Sequence, residues 1–190
     1  MVWIIVVLVL LACIALPSLW VKHVLRKYSE PADRYRSQGS GAELARHLLQ
    51  NFGLKGIAVE QTDIGDHYDP EAKAVRLTPD NYSGHSLTAI TVAAHEVGHA
   101  IQDARRERLF DTRQRLVRAA VRGERIGMLL LIAAPVLLLV TRTTQSLLLL
   151  LAAVSTRALS TLVHLVTLPV EFDASFNNAL PILESGNYLH

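Results

Sequence analysis

Ala94-His95-Glu96-Val97-Gly98-His99-Ala100 sets two histidines four residues apart inside a segment of helical apolar spacing. On a helix, residues four apart stack on one face, so both imidazoles can aim at one point. Zn²⁺ suits such a pair. It takes imidazole nitrogens in tetrahedral geometry, and where it does chemistry one position stays open to water. Glu96, one residue after the first ligand, is then placed to take a proton from that water rather than to bind the ion. With eight histidines in 190 residues, the pattern should arise by chance in about one or two per cent of shuffled chains, so its surroundings must add weight. They do: Leu87, Ile90, Ala94, Val97 and Ile101 form an apolar stripe, Ser86 can cap the helix start, and Gly98 leaves room beside the metal. The competing view is a helix with two histidines on a solvated face.

The chain is 51% hydrophobic, and that content is unevenly placed. Val2 to Val21 is an uncharged run, long enough at about 1.5 Å per residue to cross a ~30 Å hydrocarbon layer. With no positive charge before it, the run reads as a retained anchor rather than a cleaved signal. A second block, residues 126–169, is interrupted only by Arg142, Arg157 and His164. Its parts, 126–141 and 147–169, read as a hairpin of two full spans or of a shallower re-entrant pair. Lys22, Arg26, Lys27, Arg34 and Arg36 follow the first run, which places the polar domain in the cytoplasm by the positive-inside rule. Cys13 is the sole cysteine, so no internal disulfide and no cysteine ligand are available. From Arg105 to Arg125 eight arginines face three acids. Without interleaved aromatics or a Gly-rich loop, this run reads as a topology signal with affinity for anionic lipid, not as a nucleic-acid surface. The expected division is 1–25 anchor, 26–125 cytoplasmic domain, 126–169 membrane hairpin, and 170–190 C-terminal segment.

Within the polar domain, residues 29–41 read as a linker. Ser40-Gly41-Ala42-Glu43 is a capping box that opens an amphipathic helix ended by Gly53. Residues 56–62 have strand content, 66–73 carry turn chemistry and 74–77 read as a return strand, which together predict a small β-hairpin before the metal-binding helix. A strand edge beside a metal can hold an extended peptide through its backbone groups.

A zinc ion with two histidines needs another protein ligand. The extended H-E-x-x-H-x-x-G-x-x-H pattern fails, because Gln102 and Arg105 stand where its Gly and third His would be. The remaining candidates lie in Leu168-Pro169-Val170-Glu171-Phe172-Asp173-Ala174-Ser175. Arg157, Ser160, Thr161, His164, Thr167 and Glu171 recur at three or four residues, one polar stripe on an apolar helix. Glu171 continues that stripe and Asp173, about 200° away round the helix, does not.

Assembled, these residues give a chain that resembles the neutral zinc metallopeptidases, the YugP-like bacterial membrane proteins within the gluzincin group. The likeness rests on Asp66-His67-Tyr68-Asp69-Pro70, on residues 93–102 and on residues 168–175. It implies His95, His99 and Glu171 as zinc ligands, Glu96 as catalytic base, and a location in the bacterial inner membrane. Gluzincins commonly place a supporting Asp four residues after the ligand Glu; here that residue is Ser175. The fold expected is an α+β membrane protein, mainly helical, with a small β-hairpin in a zincin-like cytoplasmic domain and about three hydrophobic membrane segments. The function expected is a membrane-anchored zinc endopeptidase acting on peptide or protein substrates at the lipid bilayer. His67, Tyr68, Tyr82 and His164 are candidates for stabilising the oxyanion. The rival is a non-catalytic membrane scaffold in which zinc only pins helices together; it should show four protein ligands rather than three.

Overall fold

The computed structural model describes residues 16–141, 155–156, 159 and 162–189. The elements run α1 (16–28), a 3₁₀ turn (Arg36–Gln38), α2 (Gly41–Asn51), β1 (Ala58–Gln61), β2 (His67–Asp69) and β3 (Ala74–Leu77). There follow α3 (Pro79–Ser83), α4 (Leu87–Ala104), α5 (Arg108–Thr141), α6 (162–172), a π-helical stretch (Asp173–Ala179) and α7 (Leu180–Ser185). Two units emerge: the chain to Ile101 with Phe176–His190, and Gln102–Ser175.

In the first unit, α2 starts on the capping box expected for it. The Ser40 hydroxyl accepts from the Glu43 N–H and the Glu43 carboxylate accepts from the Ser40 N–H. This reciprocal pair satisfies two donors that the first helical turn would otherwise leave unmet. Gly53, at φ 72°, closes the far end, with the Leu54 N–H reaching back to the Leu49 carbonyl. Gly41 is required for a different reason. A Cβ there would lie 2.2 Å from the Asn81 carbonyl oxygen, because the start of α2 is laid directly against α3. Leu44 and Leu48 of α2, Val75 and Leu77 of β3, and Ile90, Ala93, Ala94 and Val97 of α4 make the core, all at most 2% exposed. Each such aliphatic side chain stabilises the fold by roughly 1.5–3 kcal/mol relative to exposure.

The predicted hairpin becomes a three-stranded sheet of order β1-β3-β2. The segments expected to pair as a hairpin, β1 and β3, lie parallel (Ala58 opposite Ala74, Gln61 opposite Leu77). The hairpin is instead β2 with β3, antiparallel with Tyr68 opposite Val75. The turn is shorter than its composition suggests. Asp69 Oδ1 accepts from the N–H groups of Glu71 and Ala72, and Lys73 takes the left-handed conformation at φ 50°. Only residues 70–73 are consumed by it, which leaves His67–Asp69 extended. On the outer face, Arg76 of β3 donates to Glu60 of β1 at 3.0 Å and to Asp69 of β2 at 2.6 Å, linking all three strands. Residues 29–41 are likewise no free linker, since Tyr35 is buried and its N–H meets the His85 carbonyl at 2.8 Å.

The second unit holds the end of α4, then α5 and α6. Gln102, Phe110, Thr167, Val170 and Ala174 are buried in it. α4 ends where Arg106 turns left-handed at φ 54°, with the Glu107 N–H on the Gln102 carbonyl and the Arg106 N–H on that of Asp103. That double bond pattern satisfies the last carbonyls of the helix and frees the chain to start α5.

Among the described residues no helix is long and apolar enough to cross a membrane. The expectation of an α+β membrane protein with about three transmembrane segments is therefore corrected to a mainly helical fold with a small three-stranded sheet. The physical reason is visible in α5. Its first half carries Arg108, Arg113, Arg115, Arg118, Arg122 and Arg125, and its apolar stretch starts only at Ile126. The described part of that stretch, from there to Thr141, gives roughly 24 Å of helix, less than a ~30 Å layer. Residues 2–15 of the first apolar run, Cys13 among them, and residues 142–154 of the second lie outside the described residues.

Candidate metal centre

α4 carries the first half of the centre, and its local sequence explains why. The Ser86 hydroxyl accepts from the Ala89 N–H at 3.1 Å and so caps the helix, as its sequence position suggests. The small residues Ala89, Ala93, Ala94, Gly98 and Ala100 then let neighbours close around α4, which is buried on most of its circumference. His99 is 3% exposed and His95 half-buried; their ring centroids are 4.7 Å apart with planes at 76°. The spacing of four thus does what helix geometry demands: both rings stand on one face.

Glu96 is buried beside them. Burial pushes its carboxyl above the ordinary range; His99, His95 and the Tyr68 backbone N–H, which donates to it, oppose the rise, while Asp66 adds to it. The Tyr68 contact fixes the setting of β2, whose outer edge meets the Glu96 carboxylate at this residue. Asp66 holds that strand in place. Its carboxylate accepts from the Thr78 N–H (2.6 Å), the Thr78 hydroxyl (3.0 Å) and the Asn81 amide (2.8 Å), tying the entry of β2 to the start of α3. Asp66 reads in the sequence as a turn residue, and only its three partners show that it anchors a strand.

The second half comes from the α6 end. His95, His99 and Glu171 each offer one ligand atom, and these lie within 4.8 Å of one another. Two imidazoles and a carboxylate, partly withdrawn from water, are a donor set that zinc accepts, with a fourth position left over. Gln102 lies one turn beyond His99 on the same helix. Fully buried, it donates through Nε2 to the Val170 carbonyl at 3.0 Å and to Asp173 Oδ2 at 2.8 Å. Asp173 is thereby engaged with α4 through an amide. Glu171 takes Arg113 of α5, whose Nε donates to Oε1 at 2.7 Å and whose Nη2 approaches the same oxygen at 2.5 Å.

Gln102 and Arg113 are the residues that sequence reasoning missed. Gln102 registers there as the failure of a longer motif and as the last residue of the stretch 93–102, and Arg113 is one of eight arginines in a run. Of the stripe on the last apolar helix, Arg157, Ser160 and Thr161 lie outside the described residues. His164 is exposed, and Thr167 is buried with its hydroxyl on the His164 carbonyl. The other oxyanion candidates are placed as follows. His67 sets Nδ1 2.8 Å from the Gly65 carbonyl, so this nitrogen carries the hydrogen; the Tyr82 hydroxyl accepts from Arg46 at 2.6 Å; the Tyr68 ring is buried.

The model of one protein family, described as "putative neutral zinc metallopeptidase", matches residues 2–190. The chain is also 33% identical over 168 residues to a Bacillus subtilis (strain 168) protein named "Putative membrane protease YugP", covering 87% of this chain and 71% of that one. No solved structure matches it. Two histidines of an H-E-x-x-H helix and a carboxylate beside them, with a family match running nearly end to end, lead to one conclusion: the chain belongs to the neutral zinc metallopeptidase family.

Proposed function

We propose that the protein is a zinc-dependent endopeptidase in which His95, His99 and Glu171 hold the ion and Glu96 is the general base. The observation that carries this reading is the setting of Glu96: buried, adjacent to both imidazoles, and oriented by the Tyr68 N–H. When bound, zinc supplies Lewis-acid polarisation of a carbonyl and lowers the pKa of water at the site. Glu96 then accepts the proton of the attacking water and passes it to the leaving amine, and burial suits it to both steps by drawing its proton affinity towards that of the groups it serves.

The strand edge supports an extended peptide as substrate. β2 is an outer strand of the sheet and meets Glu96 at Tyr68, so a chain laid along it would pass the reacting centre while pairing through its backbone. The donor count favours the enzyme over the scaffold, for among the described residues the cluster holds three ligands rather than four. The test is Glu96→Gln in the full chain. It should keep stoichiometric zinc and lose at least ~100-fold in hydrolysis of a quenched fluorescent peptide. Undiminished hydrolysis would overturn the assignment.

A further inference from the structure

We infer that Arg113 is a positioning residue for the metal centre, holding the Glu171 carboxylate in the orientation in which it binds zinc. This rests on the reading of Glu171 as the third ligand. Two nitrogens of one guanidinium converge on a single oxygen, Oε1, at 2.7 and 2.5 Å. A carboxylate at the end of a long side chain has a broad terminal torsion, and a planar fork held against it narrows that torsion. The pair is only partly exposed, at 20% for Arg113 and 32% for Glu171, so water screens it less than a surface ion pair.

The position of Glu171 makes such support necessary. It stands two residues before a π-helical stretch, Asp173–Ala179, where the regular hydrogen-bond ladder changes register. Asp173 and Val170, on either side of it, are held by Gln102, but those bonds fix the backbone and a neighbouring side chain rather than the Glu171 carboxylate. Arg113 acts on the carboxylate itself. The cation that meets it comes from α5, an element distant in sequence. An ion-paired carboxylate also gives up some charge density, so the gain in orientation must outweigh a weaker attraction for the metal. Groups that orient metal ligands typically contribute 10–100-fold in affinity, which sets the expected sign.

The test is zinc affinity of the full chain, measured by competition with a chromophoric chelator, for Arg113→Ala, Arg113→Lys, Glu171→Ala and the double variant Arg113→Ala/Glu171→Ala. Arg113→Ala should weaken zinc binding about 10-fold. Arg113→Lys, which keeps the charge but not the fork, should recover part of that loss. In the double variant, affinity should equal that of Glu171→Ala alone, because Arg113 acts only through the carboxylate. Unchanged affinity in Arg113→Ala, or a further loss in the double variant, would overturn the inference. Should Arg113→Ala fail to fold, Arg113→Lys decides it, since wild-type affinity there rejects a role for the fork. If Glu171→Ala itself keeps full affinity, the third-ligand reading fails first, and that result is distinguishable from failure of the Arg113 inference alone.

Discussion

His95 and His99 are spaced by one helical turn on a segment buried on most sides, whereas Glu171 stands at the end of α6, just before the helix changes register, and is met by an arginine from another element. The histidine pair needs nothing but a helix to converge. Glu171 comes from a segment distant in sequence, where Arg113 of α5 meets it. The difference teaches where this centre is robust and where it is delicate. A candidate ligand pair written into local geometry survives modest disturbance of the tertiary structure, while a candidate ligand supplied by contacts distant in sequence depends on each of them.

The largest expected effect tests the chemistry on the robust side. Glu96→Gln should cost 10²–10⁴-fold in peptide hydrolysis with zinc retained, as measured by turnover and metal content on one preparation. Zinc lost with activity would show instead that Glu96 belongs to the ligand set. Next comes the delicate side: Glu171→Ala should abolish hydrolysis and weaken zinc by at least ~10-fold, with metal titration as the measurement.

Asp173→Ala should divide the two carboxylates. It removes an acceptor from the buried Gln102 amide, so thermal or urea unfolding should show a loss of about 1–2 kcal/mol while zinc stays stoichiometric. The reverse pattern, zinc lost here and kept in Glu171→Ala, would exchange their roles. A smaller effect of opposite sign is expected at Arg106, which holds φ 54° at the end of α4. Arg106→Gly relieves a left-handed non-glycine residue and should raise stability by up to about 1 kcal/mol, again read by unfolding.

The smallest effect concerns the sheet alone. The hydrogen bond from the Ala72 N–H above all, joined by the Glu71 N–H and by Arg76, holds the Asp69 carboxyl below its ordinary range against the opposing effect of burial. A folded-state value lower than the unfolded one means that Asp69 stabilises the fold above the unfolded pKa of about 3.9 and that this is lost as pH falls through the folded value. The stability gap between wild type and Asp69→Asn should therefore be widest near neutrality and should narrow below about pH 4. A gap that widens on acidification would contradict the sign.

Much of α2 and α4 was legible because their signals are local. The Ser40–Glu43 box, the Gly53 stop, the Ser86 cap and the apolar stripe through Ile90, Ala94 and Val97 each act within a few residues, so sequence order carries them. Strand pairing is not local, and there the expectation failed. β1 and β3 have the composition of partners, yet nothing in either says parallel or antiparallel. The deciding feature was the tightness of the Asp69–Lys73 turn, which released His67–Asp69 to become the antiparallel partner. The apolar runs misled for a related reason: hydropathy records composition, whereas crossing a membrane also requires an uninterrupted helix of sufficient length, and none is found among the described residues.

By itself the sequence determined the His95–Glu96–His99 constellation, since a period of 3.6 residues turns a spacing of four into a shared face. It also pointed to residues 168–175 for a candidate third ligand, once the longer H-E-x-x-H-x-x-G-x-x-H pattern failed. Only the tertiary structure decided which carboxylate comes within 4.8 Å of the imidazoles, that Gln102 engages Asp173, and that Arg113 of α5 meets Glu171. Those choices depend on which helices lie side by side, and that is settled by burial summed over many residues rather than by any short pattern.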